Sequence, residues 1–248
     1  MSLELPVSII VFTFLLIAIA FLYASIGHGG ASGYMALMAL FSFHPGFIKP
    51  AALLLNLFVA GTAFWFFKKN KYFSWQLFYP FAITSIPAAF LGGYLRMNAQ
   101  LYKYLLAFFL LIAVLKMLVS SDRKKKNTKP VHVLWALLIG FVIGLFSGMI
   151  GIGGGIILSP VILLLAWGNM KEAAAVSALF ILVNSAAGIT GYLLHQNIWP
   201  AKSFWLVPFA LLGGILGAKY GSSKFSNRTL NVILSVVLLM ASVKLFLL

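Results

Sequence analysis

The sequence predicts an all-α polytopic membrane protein made of two inverted-topology repeats. Each repeat reads as a glycine-broken hairpin of a helix and a half-helix followed by three spans, about 8–10 membrane segments in all. Three observations predict this. Apolar residues make up 62% of the 248 and charged ones only 8%, with a mean hydropathy of +1.06, which leaves too little polar material to coat a soluble domain. A glycine cluster interrupts an apolar stretch twice, as Gly27-His28-Gly29-Gly30 and as Gly151-Ile152-Gly153-Gly154-Gly155. The chain also repeats itself. A shift of 124 superposes Ile26, Gly27, Gly29 and Gly30 on Ile150, Gly151, Gly153 and Gly154. A shift of 128 then matches Asn56 with Asn184, Thr62 with Thr190, Pro80-Phe81-Ala82 with Pro208-Phe209-Ala210, Gly93 with Gly221 and Lys116 with Lys244. Chance explains shared Leu and Ala in so apolar a chain, but polar matches are harder to obtain by accident.

In chain order, the first half (1–119) begins with a span at 7–26, which more spans follow and which is therefore not a cleaved leader. The glycine break and a short apolar piece at 34–43 come next, then three ordinary spans, the last two near 75–95 and 101–119. A basic linker, 120–130, separates it from the second half (131–248), which has a span at 131–150, a break and a short piece at 156–167. Ten to twelve residues at 1.5 Å each cover only about 15–18 Å of a roughly 30 Å hydrocarbon core, so the short pieces read either as half-helices or as spans completed by the glycine-rich segment before them.

Eighteen Lys and Arg against three acids, Glu4, Asp122 and Glu172, leave a formal charge of +15. In a soluble protein that balance would suggest nucleic acid; here it reads as membrane topology. The runs Lys68-Lys69-Asn70-Lys71 and Arg123 to Lys129 fall on one side, the cytoplasm by the positive-inside bias, joined there by Lys219 to Arg228. An odd number of crossings per half then inverts the halves and places both termini outside. The loop 195–201, opposite in the repeat to the basic loop 68–71, holds no Lys or Arg. Lys49, Arg96, Lys103 and Lys202 stay on the outer side as exceptions.

Acids are almost missing from the apolar segments, which argues against a cation pathway or a carboxylate proton relay and favours an anion as substrate. With no cysteine there is no disulfide, thiol relay or thiolate metal site. No residue pattern identifies a cofactor or metal.

Glycine-rich backbone before a half-helix turns bare N–H groups and a positive dipole end toward whatever sits there. Irregular backbone at membrane depth is tolerated where it faces protein or a wet cavity. Glycines also simply let helices approach closely, but two clusters in equivalent places favour a site. Pro160 falls near the predicted start of its half-helix, where a missing amide does little harm. The candidate substrate-binding residues are Gly27, His28, Gly29, Gly30 and Ser32 at the first break, Gly151, Gly153, Gly154 and Gly155 at the second, and Asn56 and Asn184 on the helices that follow. His28 stands where the second copy has Ile152 and is suited to donating to an oxyanion, to carrying a coupling proton, or to bonding, as a neutral imidazole, a backbone carbonyl that the break frees. The buried amides of Asn56 and Asn184 either tie helices together or line the pathway. Ser25, Ser147 and Tyr34 flank the breaks, and Lys116 and Lys244 suit snorkelling at helix ends.

The stretches Ala24-Ser25-Ile26-Gly27-His28-Gly29-Gly30-Ala31-Ser32-Gly33-Tyr34 and Gly144 to Gly155 with its trailing Pro160 resemble the TauE/SafE sulfite exporter family, also called TSUP, over essentially the whole chain. The first motif departs from the family's usual Gly-x-Gly-Gly-Gly. The resemblance implies a carrier in a bacterial or archaeal inner membrane that moves sulfite, organosulfonates or related sulfur anions, generally outward, with protons as a coupling ion. Alternating access would follow from rocking of the two halves. Two other classes stay open on the residues: a passive anion channel, which shares the broken helices, and an intramembrane serine protease, whose Gly-x-Ser-Gly motif matches Gly30-Ala31-Ser32-Gly33.

Overall fold

A computed structural model describes residues 4–95, 128–196 and 201–230, with a few helical positions up to 239. The predicted span 101–119, most of the basic run 123–129, and Arg96, Lys103, Lys116 and Lys244 lie outside the described residues. The first half contributes α1 (Glu4–Ser25), α2 (Ala31–Leu40), α3 (Pro45–Lys69) and α4 (Trp75–Tyr94). The second contributes α5 (Val133–Ile150), α6 (Gly155–Leu164), α7 (Met170–Gln196), a 3-10 turn (Ala201–Leu206) and α8 (Val207–Ser223). No strand occurs among the described residues.

Five of these segments are long and apolar enough to cross a membrane: Gly46–Lys69, Trp75–Tyr94, Val133–Ile150, Met170–His195 and Ser203–Ser223. Large apolar side chains such as Ile10, Phe14, Trp65, Leu138 and Leu194 are exposed on the outside of the bundle, a surface suited to lipid tails. The protein is a multi-pass membrane protein.

The half-helices are ten residues each, about 15 Å, and both sit slightly earlier than the sequence suggests. They start immediately after Gly30 and Gly154, at φ +95° and +80°, conformations that glycine adopts without strain. They end in the same hydrogen-bonded motif. Phe43 N–H donates to Met38 O at 2.9 Å and Ser42 N–H to Ala39 O at 3.0 Å. In α6 the equivalents are Trp167 to Ile162 at 3.0 Å and Ala166 to Leu163 at 3.2 Å. The left-handed residue is Ser42 in one and Ala166 in the other, each at φ 57°. Pro160 falls inside α6 rather than in its first turn, and its missing amide leaves the Ile156 carbonyl without the usual helical partner.

Two glycine ladders bind the halves together. On α5, Gly140, Gly144 and Gly148 bring the backbone against the carbonyls of Phe81, Ser85 and Ala89 on α4. On α8, Gly213, Gly217 and Gly221 do the same against Ile17, Phe21 and Ser25 on α1. An added methyl at any of these six positions would meet backbone oxygen, so the helices touch as closely as main chains allow. α3 and α7 are the most buried of the spans and pack against each other at the centre.

The loops fall into two groups, one at each end of the bundle. At one end the Phe12 ring lies 5.2 Å from those of Phe41 and Phe43 and 6.2 Å from Trp205, and Tyr94 meets His195 at 5.0 Å. At the other, Asn70 Nδ2 donates to Ser222 Oγ (3.1 Å), Lys171 Nζ donates to Tyr72 Oη (3.2 Å), and Lys129 N–H donates to Ala166 O (2.7 Å). The α1–α2 hairpin therefore opens at the first end and the α5–α6 hairpin at the second.

Candidate functional site

Both breaks arise from how the preceding helix stops. α1 ends with His28 N–H donating to Tyr23 O (2.8 Å) and Gly27 N–H to Ala24 O (3.1 Å), and α5 ends with Gly151 and Ile152 N–H both on Ser147 O (2.7 and 3.2 Å). The chain then turns through left-handed glycines and starts a new helix, and every residue from Tyr23 to Ala31 and from Ile150 to Ile156 is buried.

The two breaks converge on one spot between α3 and α7. A methyl on Gly29 would run into the Asn56 amide. One on Gly153 would lie 2.8 Å from both Asn56 Nδ2 and Ser185 Oγ, and 2.9 Å from Ile181. Asn56, fully buried, joins the pieces: its Oδ1 accepts from Ala31 N–H, the first amide of α2, at 3.0 Å, and its Nδ2 donates to Ser185 Oγ at 3.2 Å. One side chain thus caps the short helix α2 in the first half of the chain and ties it to α7 in the second.

His28 reaches across to the second half of the chain. Its Nε2 lies 2.9 Å from Ser159 Oγ on α6, and Ser159 Oγ donates to Ser177 Oγ on α7 at 2.8 Å. With the serine proton directed at Ser177, Nε2 carries the ring hydrogen and Nδ1 holds a lone pair. Among the described residues, five buried side-chain polar atoms have no hydrogen-bond partner. Three belong to the break residue His28 (Nδ1), to Tyr34 beside Gly30 (Oη), and to Asn184 beside Ser185 (Oδ1).

The other candidates sort by their bonds. Ser32 Oγ lies 2.8 Å from Tyr23 Oη, so the serine of the protease-like motif pairs with a tyrosine while His28 pairs with Ser159. Gly155 packs on Ile181 and Gly154 on Ile143 and Phe180. Asn184 departs from its repeat partner: Nδ2 donates back to Phe180 O in its own helix at 2.9 Å. Thr62, Thr190, Ser25 and Ser147 likewise bond carbonyls of their own helices. Ser185, Ser159 and Ser177 were not singled out from sequence. A polar pair, Asn184-Ser185, inside an apolar run and a serine just before Pro160 were the available signals.

A family model described as sulfite exporter TauE/SafE matches residues 11–245. The chain belongs to the TauE/SafE sulfite exporter family. Among curated TauE/SafE-like relatives, a probable membrane transporter protein of Sinorhizobium fredii is 41% identical over 233 residues, 92% of this chain and 94% of that one. Another, from Bacillus subtilis, is 24% identical over 209 residues, 76% of each chain. No solved structure matches the chain. This TauE/SafE protein is a membrane transporter, and its relatives carry transporter rather than enzyme names.

Proposed function

We propose that the protein is a secondary carrier that exports sulfite, an organosulfonate or a related sulfur oxyanion across the cytoplasmic membrane by alternating access. The observation that carries this reading is the convergence of both breaks on Asn56 and Ser185. Two half-helix starts meet there with backbone amides, hydroxyls and an amide side chain, a donor-rich and carboxylate-poor lining suited to an oxyanion. The substrate-binding shell comprises Gly27, His28, Gly29, Gly30, Ser32 and Asn56 with Gly151, Gly153, Gly154, Gly155 and Asn184, extended by Ser185. His28 is the proton-coupling residue, its Nδ1 lone pair being the receiving atom.

The halves 1–119 and 131–248 act as inverted repeats joined by a cytoplasmic linker at 120–130. The opposed openings of the two hairpins and the matched ends of α2 and α6 support this reading. The α5 end, with Lys68–Lys71 and Lys219 to Arg228, is then cytoplasmic and the α1 end external, with both termini outside. The test is sulfite counterflow in proteoliposomes, with and without an imposed pH gradient. Saturable exchange accelerated by the gradient is expected. Current that scales with the gradient and shows no counterflow would replace the carrier with a channel.

A further inference from the structure

Lys49 breaks the positive-inside pattern, and the structure puts it beside the second break. It lies on α3 seven residues before Asn56, two turns on the same face and about 10 Å nearer the α1 end. Its stem packs over Gly151, where an added methyl would lie 2.8 Å from Lys49 Cγ. Its part-buried Nζ turns across to the other half, donating to Met149 O at 2.8 Å, one of the last carbonyls of α5. The Tyr192 ring lies beneath it, 5.4 Å from centroid to Nζ. That ring is held in turn by Pro50: without an amide, Pro50 leaves the Gly46 carbonyl open, and Tyr192 Oη donates to it at 3.3 Å.

A carbonyl and a ring are neutral partners, so neither balances a full positive charge at this depth. An ammonium has three donors, and one is on Met149. Ionisable residues inside a membrane segment mark substrate pathways more often than fold scaffolding. The α1 end is also where a cation gains nothing from the cytoplasmic bias.

We infer that Lys49 is an anion-binding residue, a station between the α1 end and Asn56 that takes the oxygens of a small sulfur oxyanion passing to or from the breaks. This rests on the carrier reading above and adds the charged residue which that shell lacks. In the anion-loaded state the ammonium faces the oxyanion. In the structure described it rests on Met149. A doubly charged anion depends on this residue more than a singly charged one.

The chain has no cysteine, so Lys49→Cys is a single reactive site in the otherwise native protein. In proteoliposomes, sulfate, sulfite and methanesulfonate are compared in wild type, Lys49→Met, Lys49→Arg and Lys49→Cys. Lys49→Met is expected to raise half-saturation at least tenfold for sulfate and several-fold less for methanesulfonate, with maximal rate within about twofold, and Lys49→Arg to restore it. Lys49→Cys is expected to react with an anionic thiosulfonate more slowly when a transported anion is present. A fall in maximal rate and melting temperature alike for every anion, with half-saturation unchanged, would make Lys49 only a cap on α5 and overturn the inference. Absence of protection by all three anions would overturn it too, through a readout that needs no flux. Wild-type protein that moves none of the three anions refutes the proposed substrate class, a separate result from unchanged half-saturation in the variants.

Discussion

Replacing Asn56 by leucine keeps the volume and removes two hydrogen bonds at the point where the repeats meet. Ala31 N–H loses its cap, worth about 0.5–2 kcal/mol. Ser185 Oγ loses a donor in a buried place, about 1–3 kcal/mol in a protein interior and nearer 0.6 kcal/mol for typical side-chain bonds within a membrane. The sum is about 1–5 kcal/mol. At roughly 2–4 °C per kcal/mol for a chain of this size, the melting temperature should fall by about 2–20 °C. The matching change on the other helix, Asn184→Leu, removes only a bond to its own helix and an oxygen that has no partner, so it should cost about 0–1 kcal/mol. Tryptophan-fluorescence melting of both variants in the same detergent measures the difference, and sulfite counterflow should fail in Asn56→Leu. Equal melting temperatures for the two variants would refute the reasoning, because the repeat alone makes the residues equivalent and only the bonds described here separate them.

Gly153→Ala meets a left-handed φ of +72°, costing about 1–2 kcal/mol, and puts a methyl against Asn56 and Ser185; flux should drop at least tenfold while membrane fractionation finds the protein inserted as before. His28→Gln should keep exchange but lose acceleration by a pH gradient, as read from counterflow with and without the gradient. Gly144→Leu drives a side chain into the Ser85 backbone and should destabilise by about 1–3 kcal/mol or more in thermal melts. Gly61→Ala, where the nearest atom is Leu182 Cδ1 at 3.8 Å, should instead stabilise α3 by about 0.5–1 kcal/mol in the same assay.

The breaks were legible because glycine in an apolar run has few other uses, and the half-helices because a length of ten residues cannot span the core. Their ends are hard to read because the left-handed residues there are Ser42 and Ala166, so no glycine marks the stop, and the following Phe43 and Trp167 continue the apolar pattern. The start of α2 is hidden because Ala31, Ser32 and Gly33 look like part of the break, although helix begins as soon as Gly30 has turned the chain. The repeat assigned Asn56 and Asn184 one role, yet the bond that crosses to α7 ends on Ser185, a neighbour pointing a different way around the helix. Lys49 showed in the sequence only as a misplaced charge. Its carbonyl partner lies 100 residues away, a distance no periodicity carries.

The glycine ladders decide which parts of the molecule can part company. α1 is fastened to α8 and α5 to α4, main chain against main chain, so neither half of the sequence can swing as a block without tearing a ladder. In the carrier proposed above, this packing predicts exchanged rigid units: α1, α2 and α3 with α8, and α5, α6 and α7 with α4. The seam between them runs along the α3–α7 contact, where Asn56 meets Ser185 and Lys49 meets Tyr192, and past the first break, where His28 meets Ser159 and Gly27 lies against the Ala174 main chain. A bridge engineered across a ladder should leave exchange running. One stitched across that seam should, if the protein is the carrier proposed above, hold it in a single posture and stop exchange.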